Sequence, residues 1–283
     1  MKHTLFFGMC LICLLMISEA RARRLETESK SFDVSRINLL ELKIEIDVST
    51  LLIEKHSKPG IIDVAAAYDE DKYTLDTEFD KADETLVIKF DREGFWEKKQ
   101  HREENADLEI FLPDAVEIEL KISMKVGVAK MNLGGLKLAG VRCKNWIGEI
   151  DIAFDEPNHC KMEYFDLNNK IGSTKIKKLG NARFIDADIN SGTGELEVDF
   201  RGALETPSKA NLDLDIGETT VILPRDFGIE LSFSKLWFLS EVSIPREFKE
   251  SGRRYRNREF KKYSKGLRIN VDQGIGSLDF DVR

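Results

Sequence analysis

Apolar and polar residues alternate along most of this chain. In Leu40–Val48 (LELKIEIDV) the apolar positions are Leu40, Leu42, Ile44, Ile46 and Val48, with a charged residue between each pair. Residues 61–67, 73–79 and 86–90 continue the alternation, separated by Pro59-Gly60, Asp69-Glu70-Asp71 and Asp80-Lys81-Ala82-Asp83. A period of two puts one set of side chains on a buried sheet face and the other in water. The separating clusters are turn formers. No stretch after residue 22 carries the 3.6-residue period of an amphipathic helix. The pattern predicts an all-β fold.

From about Leu108 the alternation becomes a repeat. Gly148-Glu-Ile-Asp-Ile-Ala-Phe returns as Gly194-Glu-Leu-Glu-Val-Asp-Phe and as Gly276-Ser-Leu-Asp-Phe-Asp-Val. Looser copies start at Gly127, Gly172 and Gly217, so the glycines from Gly127 to Gly217 recur at steps of 21, 24, 22 and 23 residues. A second alternating strand precedes most of them, as in residues 184–189, 210–216 and 267–271. Each unit reads as strand, glycine corner, strand, corner, and a near-constant period of this size is the mark of a solenoid. Glycine suits the corner because it permits positive φ and has no Cβ to meet the coil stacked about 4.8 Å away. A β-sandwich also alternates and also turns on glycine, but it does not need the same short sequence at each corner. The expectation is a single-stranded, right-handed β-solenoid with an N-terminal antiparallel strand region.

The first residues modify the domain plan. Lys2 followed by an apolar run over Leu5–Ile17, and then Ala20-Arg21-Ala22, has the form of a cleavable export signal. The run is shorter than the roughly 20 residues that span a bilayer. Residues 1–22 are therefore expected to be a signal peptide cut after Ala22, with export to the periplasm or the cell exterior. Residues 23–283 are then one domain: a strand region over 23–112, and repeated coils over 113–283 with an excursion at 236–266. Cleavage removes Lys2, Arg21 and Glu19, leaving 41 basic and 50 acidic residues, a net charge of −9. Such an acidic surface excludes nucleic acid as a general partner. Cys143 and Cys160 remain and are expected to be free, buried thiols rather than a disulfide framework.

The repeated glycine corners, with strand endings at Leu108-Glu-Ile-Phe-Leu-Pro113 and Val221-Ile-Leu-Pro224 and the closing Gly274-Ile-Gly276-Ser-Leu-Asp-Phe, resemble the bacterial toast-rack family. That family comprises extracytoplasmic β-solenoid modules related to LiaF- and LiaG-like envelope-stress proteins and to an auto-transporter adhesin head group. The resemblance covers residues 40–283 and implies an envelope location without known catalytic residues. LiaF-like proteins carry membrane helices ahead of the module, where this chain has a cleavable signal.

Catalytic and metal motifs are missing from the sequence. His56, His101 and His159 lie in no zinc pattern, and His159 and Cys160, being adjacent on a strand, would face opposite ways. Gly172-Ser-Thr-Lys175 lacks the order of a phosphate loop, and Ser191-Gly-Thr-Gly194 lacks that of a nucleophile elbow; both read as corners. Pairs such as Glu195/Glu197 and Asp213/Asp215 read as a solvated strand face. No cofactor, metal or catalytic residue is expected.

One segment departs from the pattern. Pro245–Lys265 is rich in Arg and Lys, and Arg253, Arg254, Arg256, Arg258, Lys261 and Lys262 form a candidate site for an anionic partner, either an envelope polymer, a lipid surface or an acidic envelope protein. The final strand ends at Arg283 without a cap, which offers an edge for self-association or for addition of a partner strand. The function expected is a non-enzymatic envelope module, structural, adhesin-like or regulatory. The alternative is a polysaccharide-active solenoid enzyme, whose acids would converge in one groove.

Overall fold

A computed structural model describes residues 25–93, 106–204, 207–235, 240–261 and 266–283. The signal-like segment and Lys262 lie outside these described residues. In chain order the strands are β1 (Leu25–Asp33), β2 (Leu39–His56), β3 (Ile61–Asp69), β4 (Tyr73–Asp80), β5 (Thr85–Arg92) and β6 (Asp107–Pro113). The long strands β7 (Glu117–Asn132), β8 (Lys137–Ala153), β9 (Met162–Lys177), β10 (Phe184–Asp199) and β11 (Ser208–Leu223) follow. Four short strands, β12 (Ile229–Lys235), β13 (Ser240–Ser243), β14 (Lys249–Ser251) and β15 (Arg254–Arg256), precede the closing β16 (Leu267–Val282). The fold is all-β and solenoid-like. Among the described residues no helix is long and apolar enough to cross a membrane.

Strands β2, β7, β8, β9, β10, β11 and β16 stack side by side and parallel, each bent once in its middle. The bent-strand pattern is already present in β2, where Ser49 pairs with Gly127 at the corner position. Buried positions alternate within each limb and lose their phase at the bend. In β10, Ala187, Ile189 and Ser191 face inward before the corner, and Leu196 and Val198 after it. Inward residues of successive coils form ladders such as Val141, Phe165, Ala187 and Ala210.

The corner glycines meet both demands set out for them. Gly148, Gly172, Gly194, Gly217 and Gly276 have φ between +135° and +142° or close to it, at +144° for Gly194. A Cβ on any of these five would lie only 1.7 to 1.9 Å from the carbonyl oxygen of the corner glycine one coil back. Beneath them runs a buried polar ladder. Asn145 donates to Asn169 at 3.0 Å, and Asn169 donates to the Gly148 and Ser173 carbonyls and to Thr174 Oγ1. At the other end of the stack Thr219 Oγ1 donates to Gln273 Oε1 at 3.0 Å. These bonds satisfy polar groups that burial would otherwise penalise.

Shorter strands close both ends, those beside the stack parallel to it and those outside them antiparallel. At the first end β5, paired with β4, covers the leading limb of β2, and β6, paired with β3 and then β1, covers its trailing limb. At the other end β12 and β13 cover the two limbs of β16, and β15 and β14 extend the sheet from β12. The terminal strand is thus not the bare edge that the sequence suggested. Gly217 pairs with Gly276, so β16 is inserted between β11 and β12, and the sheet ends at β14.

Candidate functional site

The leading limb of each coil, the half before the glycine, turns alternate residues to one broad face, and two of these positions lie in the middle of it. Stacking aligns them into two columns. One reads Arg142, Asp166, Asp188, Asn211, Asn270 and Ser232, and the other Lys144, Asn168, Asn190, Asp213 and Asp272. Neighbours lie about 4.8 Å apart along the stack and about 7 Å apart along a strand. Two shallow troughs of about 390 and 530 Å³ run over this grid and share Asn211 and Asp213 in their lining. Arg142 and Lys144 stand at one end and Arg253 at the other.

Cross-coil hydrogen bonds order the grid. Asn211 Nδ2 donates to Asp188 Oδ1 at 2.5 Å, Asn270 Nδ2 to Asn211 Oδ1 at 2.9 Å, and Asn190 Nδ2 to Asp213 Oδ2 at 3.3 Å. Ser232 bonds to Asn270. Arg142 holds Asp166 with Nε and Nη2 at 3.1 and 2.9 Å and lies 5.0 Å from the Tyr164 ring. Partial burial, with Asp215 and Asp272 nearby, raises the pKa of Asp213 above the ordinary carboxylate value. The face is rich in acceptors with interleaved amide donors. That chemistry suits hydroxyl groups, which donate and accept at once.

The six basic residues singled out from sequence are not one open patch. Arg254 Nη1 and Arg256 Nε donate to the buried Glu230 at 3.1 and 2.6 Å, and Arg268 Nε approaches it at 3.6 Å. Arg256 also lies over the Phe260 ring at 5.2 Å. These contacts pin β15 to β12. Arg253 is exposed at the trough, Arg258 is exposed at the start of a 3-10 turn that ends at Lys261, and Lys262 lies outside the described residues.

Both phosphate-loop-like and elbow-like sequences are corners, as their glycines show. The cysteines are free, and burial pushes the Cys143 thiol up to about 12. Cys160 donates to the Leu138 carbonyl at 3.4 Å. From sequence alone the Asp/Asn grid reads as an ordinary solvated face. Its readable signal is Asp or Asn at the same two distances before Gly172, Gly194, Gly217 and Gly276.

Residues 21–177 match the family model for the N-terminal domain of toast_rack. No curated protein matches the chain. Among solved structures, a candidate cell adhesion protein from Clostridium sporogenes is similar at 14% identity, covering 92% of this chain and 100% of that one, with a TM-score of 0.45. A candidate adhesin from Bacteroides fragilis is similar at 12% identity, covering 90% and 97%, with a TM-score of 0.42. A candidate adhesin from Parabacteroides merdae gives 12%, 92% and 97%, with a TM-score of 0.32.

Proposed function

The chain belongs to the toast-rack family, and we propose that it is a non-enzymatic cell-envelope binding module whose leading-limb face holds a hydroxyl-rich polymer. The carrying observation is the Asp/Asn grid, repeated from coil to coil along the shared troughs. A polymer laid along the stack meets an Asp and an Asn, or two Asp/Asn side chains, on each of the four coils β9, β10, β11 and β16. Each net hydrogen bond contributes about 0.5 to 1.5 kcal/mol, so several coils together give useful affinity where one would not. The apolar leader and Ala20-Arg21-Ala22 support export of the mature chain.

A second reading places an anionic partner at the excursion, through Arg253, Arg258, Lys261 and Lys262. It is favoured by the exposure of Arg253 and Arg258. The enzymatic alternative has one supporting observation, the raised pKa of Asp213 among other carboxylates. Against it, Asp188 and Asp213 accept from Asn211 and Asn190 on neighbouring coils, an arrangement that serves a fixed binding surface.

Co-sedimentation of the mature chain with isolated cell-wall sacculi and with anionic vesicles, across a salt series, separates these readings. The proposal predicts binding to sacculi that changes little with salt, is lost in Asn190→Ala/Asp213→Ala, and releases no reducing sugar. Binding that salt abolishes and that Arg253→Ser/Arg258→Ser removes would assign the partner to the excursion instead. Soluble sugar released by the native chain and not by Asp213→Ala would establish the enzyme. No sedimentation at any salt would refute both binding readings.

A further inference from the structure

At the β7 end of the broad face, three outward positions on each of three neighbouring strands make one block of side chains. β7 contributes Lys121, Ser123 and Lys125, β8 contributes Arg142, Lys144 and Trp146, and β9 contributes Asp166, Asn168 and Lys170. Five of these are basic and one is acidic, on a chain whose formal net charge is −8. Three of the cations are already matched: Lys121 by Glu41 and Glu119, Lys125 by Asp47, and Arg142 by Asp166. On the coil before, Glu41 and Glu45 also pair with Lys43 and Lys89. Glu149 lies beyond the Gly148 corner, on the trailing limb. Among the described residues, Lys144 and Lys170 have no carboxylate partner, and both are exposed.

Between these two lysines stands Trp146, which is 59% exposed. The Lys170 ammonium lies 4.4 Å from the centre of its ring. An indole in water is apolar area left unburied, and tryptophan is enriched where a ligand or partner covers it. The coil itself does not need one there, since the same position is Lys170 on β9 and Asp215 on β11. Lys144 follows two residues away on the same strand, at about 7 Å. An apolar plate thus stands beside two unmatched ammonium groups. Ser123 and Asn168 flank Lys144 in register and add a hydroxyl and an amide. Lys144 and Asn168 also line the trough that continues to Asp188, Asn190 and Asp213.

We propose that this block is the subsite for an acidic sugar unit of the bound polymer. The C–H face of the sugar ring lies on Trp146, and its carboxylate is held by Lys144 and Lys170. The inference rests on the polymer-binding reading of the face and adds the class of polymer. Three coil steps separate β8 from β11, about 14 Å, and over them one column changes from Lys144 to Asp213. A carboxylate placed over Asp188, Asp213 or Asp272 would meet like charge. The polymer is therefore a glycan with an acidic unit followed by uncharged ones, not a polyanion, and it lies in one direction with the acidic unit at β8. One carboxylate between two exposed lysines adds only a slight salt dependence, as an exposed ion pair does.

Calorimetric titration of the mature chain with soluble sacculus fragments tests this, using fragments left untreated or with their carboxylates converted to amides by carbodiimide and ammonia. The native chain should bind amidated fragments about tenfold more weakly, the loss of one charge-assisted hydrogen bond. Lys144→Gln/Lys170→Gln should bind untreated fragments about tenfold more weakly and be indifferent to amidation. Trp146→Ala should bind both kinds about tenfold more weakly and still respond to amidation. All three positions are exposed, so each variant should keep the native circular dichroism. As competitors for untreated fragments, xylotriose bearing one glucuronate should exceed xylotetraose, tetragalacturonate and an acidic dipeptide, each by at least about tenfold. Any other ranking overturns the assignment to a single acidic sugar. Fragments that bind the native chain regardless of amidation, or that bind either variant as tightly, overturn the subsite and leave the grid as the ligand surface. Fragments that fail to bind the native chain at all refute the polymer reading, and the subsite with it.

Discussion

Changing Gly194 to alanine should remove much of the stability of the fold. The new Cβ would stand 1.9 Å from the Gly172 carbonyl oxygen, one coil back. A carbon and a carbonyl oxygen settle at about 3.3 to 3.6 Å, so the coils must part locally by more than 1 Å or the strand must rotate. Gly194 also sits at φ +144°, where an L side chain costs about 1 to 3 kcal/mol. Opening one rung strands one or two backbone groups, each at about 1 to 3 kcal/mol. The sum is on the order of 2 to 9 kcal/mol, against the 5 to 15 kcal/mol that holds a typical domain. Urea unfolding followed by circular dichroism measures it, and a slope near 3 kcal/mol/M gives a midpoint lowered by about 0.7 to 3 M. Gly252→Ala is the control: its φ is +67° and a Cβ there meets nothing within 4 Å, so it should cost about 1 kcal/mol. If Gly194→Ala is no worse than Gly252→Ala, the corners are not close-packed and the stacking explanation of the glycine repeat is wrong.

Other consequences follow from the charges, the core and the thiols. Lys121 hydrogen-bonds Glu41 and Glu119: it is the main cause holding the Glu41 carboxyl below its ordinary value, while at Glu119 the Tyr164 hydroxyl lowers the value most and Lys121 adds to it. A depressed folded pKa stabilises above the unfolded value near 4.5 and is lost as pH falls through the folded value. Lys121→Met should therefore flatten the acid limb of the stability–pH curve, read from thermal midpoints between pH 7 and pH 3. Asp213 has the opposite sign: its raised pKa means that ionisation disfavours the fold, so stability rises as pH falls through that value. Asp213→Asn should raise the neutral-pH midpoint slightly. Phe165→Ala, at a fully buried ladder position against Phe154, should cost about 3 to 5 kcal/mol in the same urea assay. Cys143, buried with its thiol near 12, should resist iodoacetamide at pH 8 until the chain unfolds, as mass spectrometry of the alkylated protein would show.

The legibility of this chain divides along the range of its interactions. Period-two alternation and corner glycines are local, so Leu40–Val48 and the Gly127-to-Gly217 series disclosed strands, corners and repeat length. The order of stacking after Gly217 is not local. Nothing near Leu267 says that β16 inserts between β11 and β12, because its ladder is matched by Ser208–Leu223 on one side and Ile229–Lys235 on the other. The partner of Arg254 and Arg256 is hidden in the sequence for a related reason: Glu230 lies on β12, outside the Arg-rich run. The Asp/Asn grid needs cross-coil register before Asn190 and Asp213 become neighbours. The isoleucines directly before four corner glycines, Ile147, Ile171, Ile216 and Ile275, are visible in the sequence, but their exposure emerges only once the bend is seen to break the alternation.

The central claim is that the leading-limb grid is the ligand surface, and carboxylate footprinting tests it most directly. The mature chain would be labelled with carbodiimide and glycine ethyl ester, with and without soluble sacculus fragments, and each Asp and Glu read by mass spectrometry. Protection of Asp188, Asp213 and Asp272, with Glu149, Glu195 and Glu218 beyond the corner unchanged, is the result predicted. Protection beyond the corner, or none on the grid under conditions where the fragments bind, would contradict it.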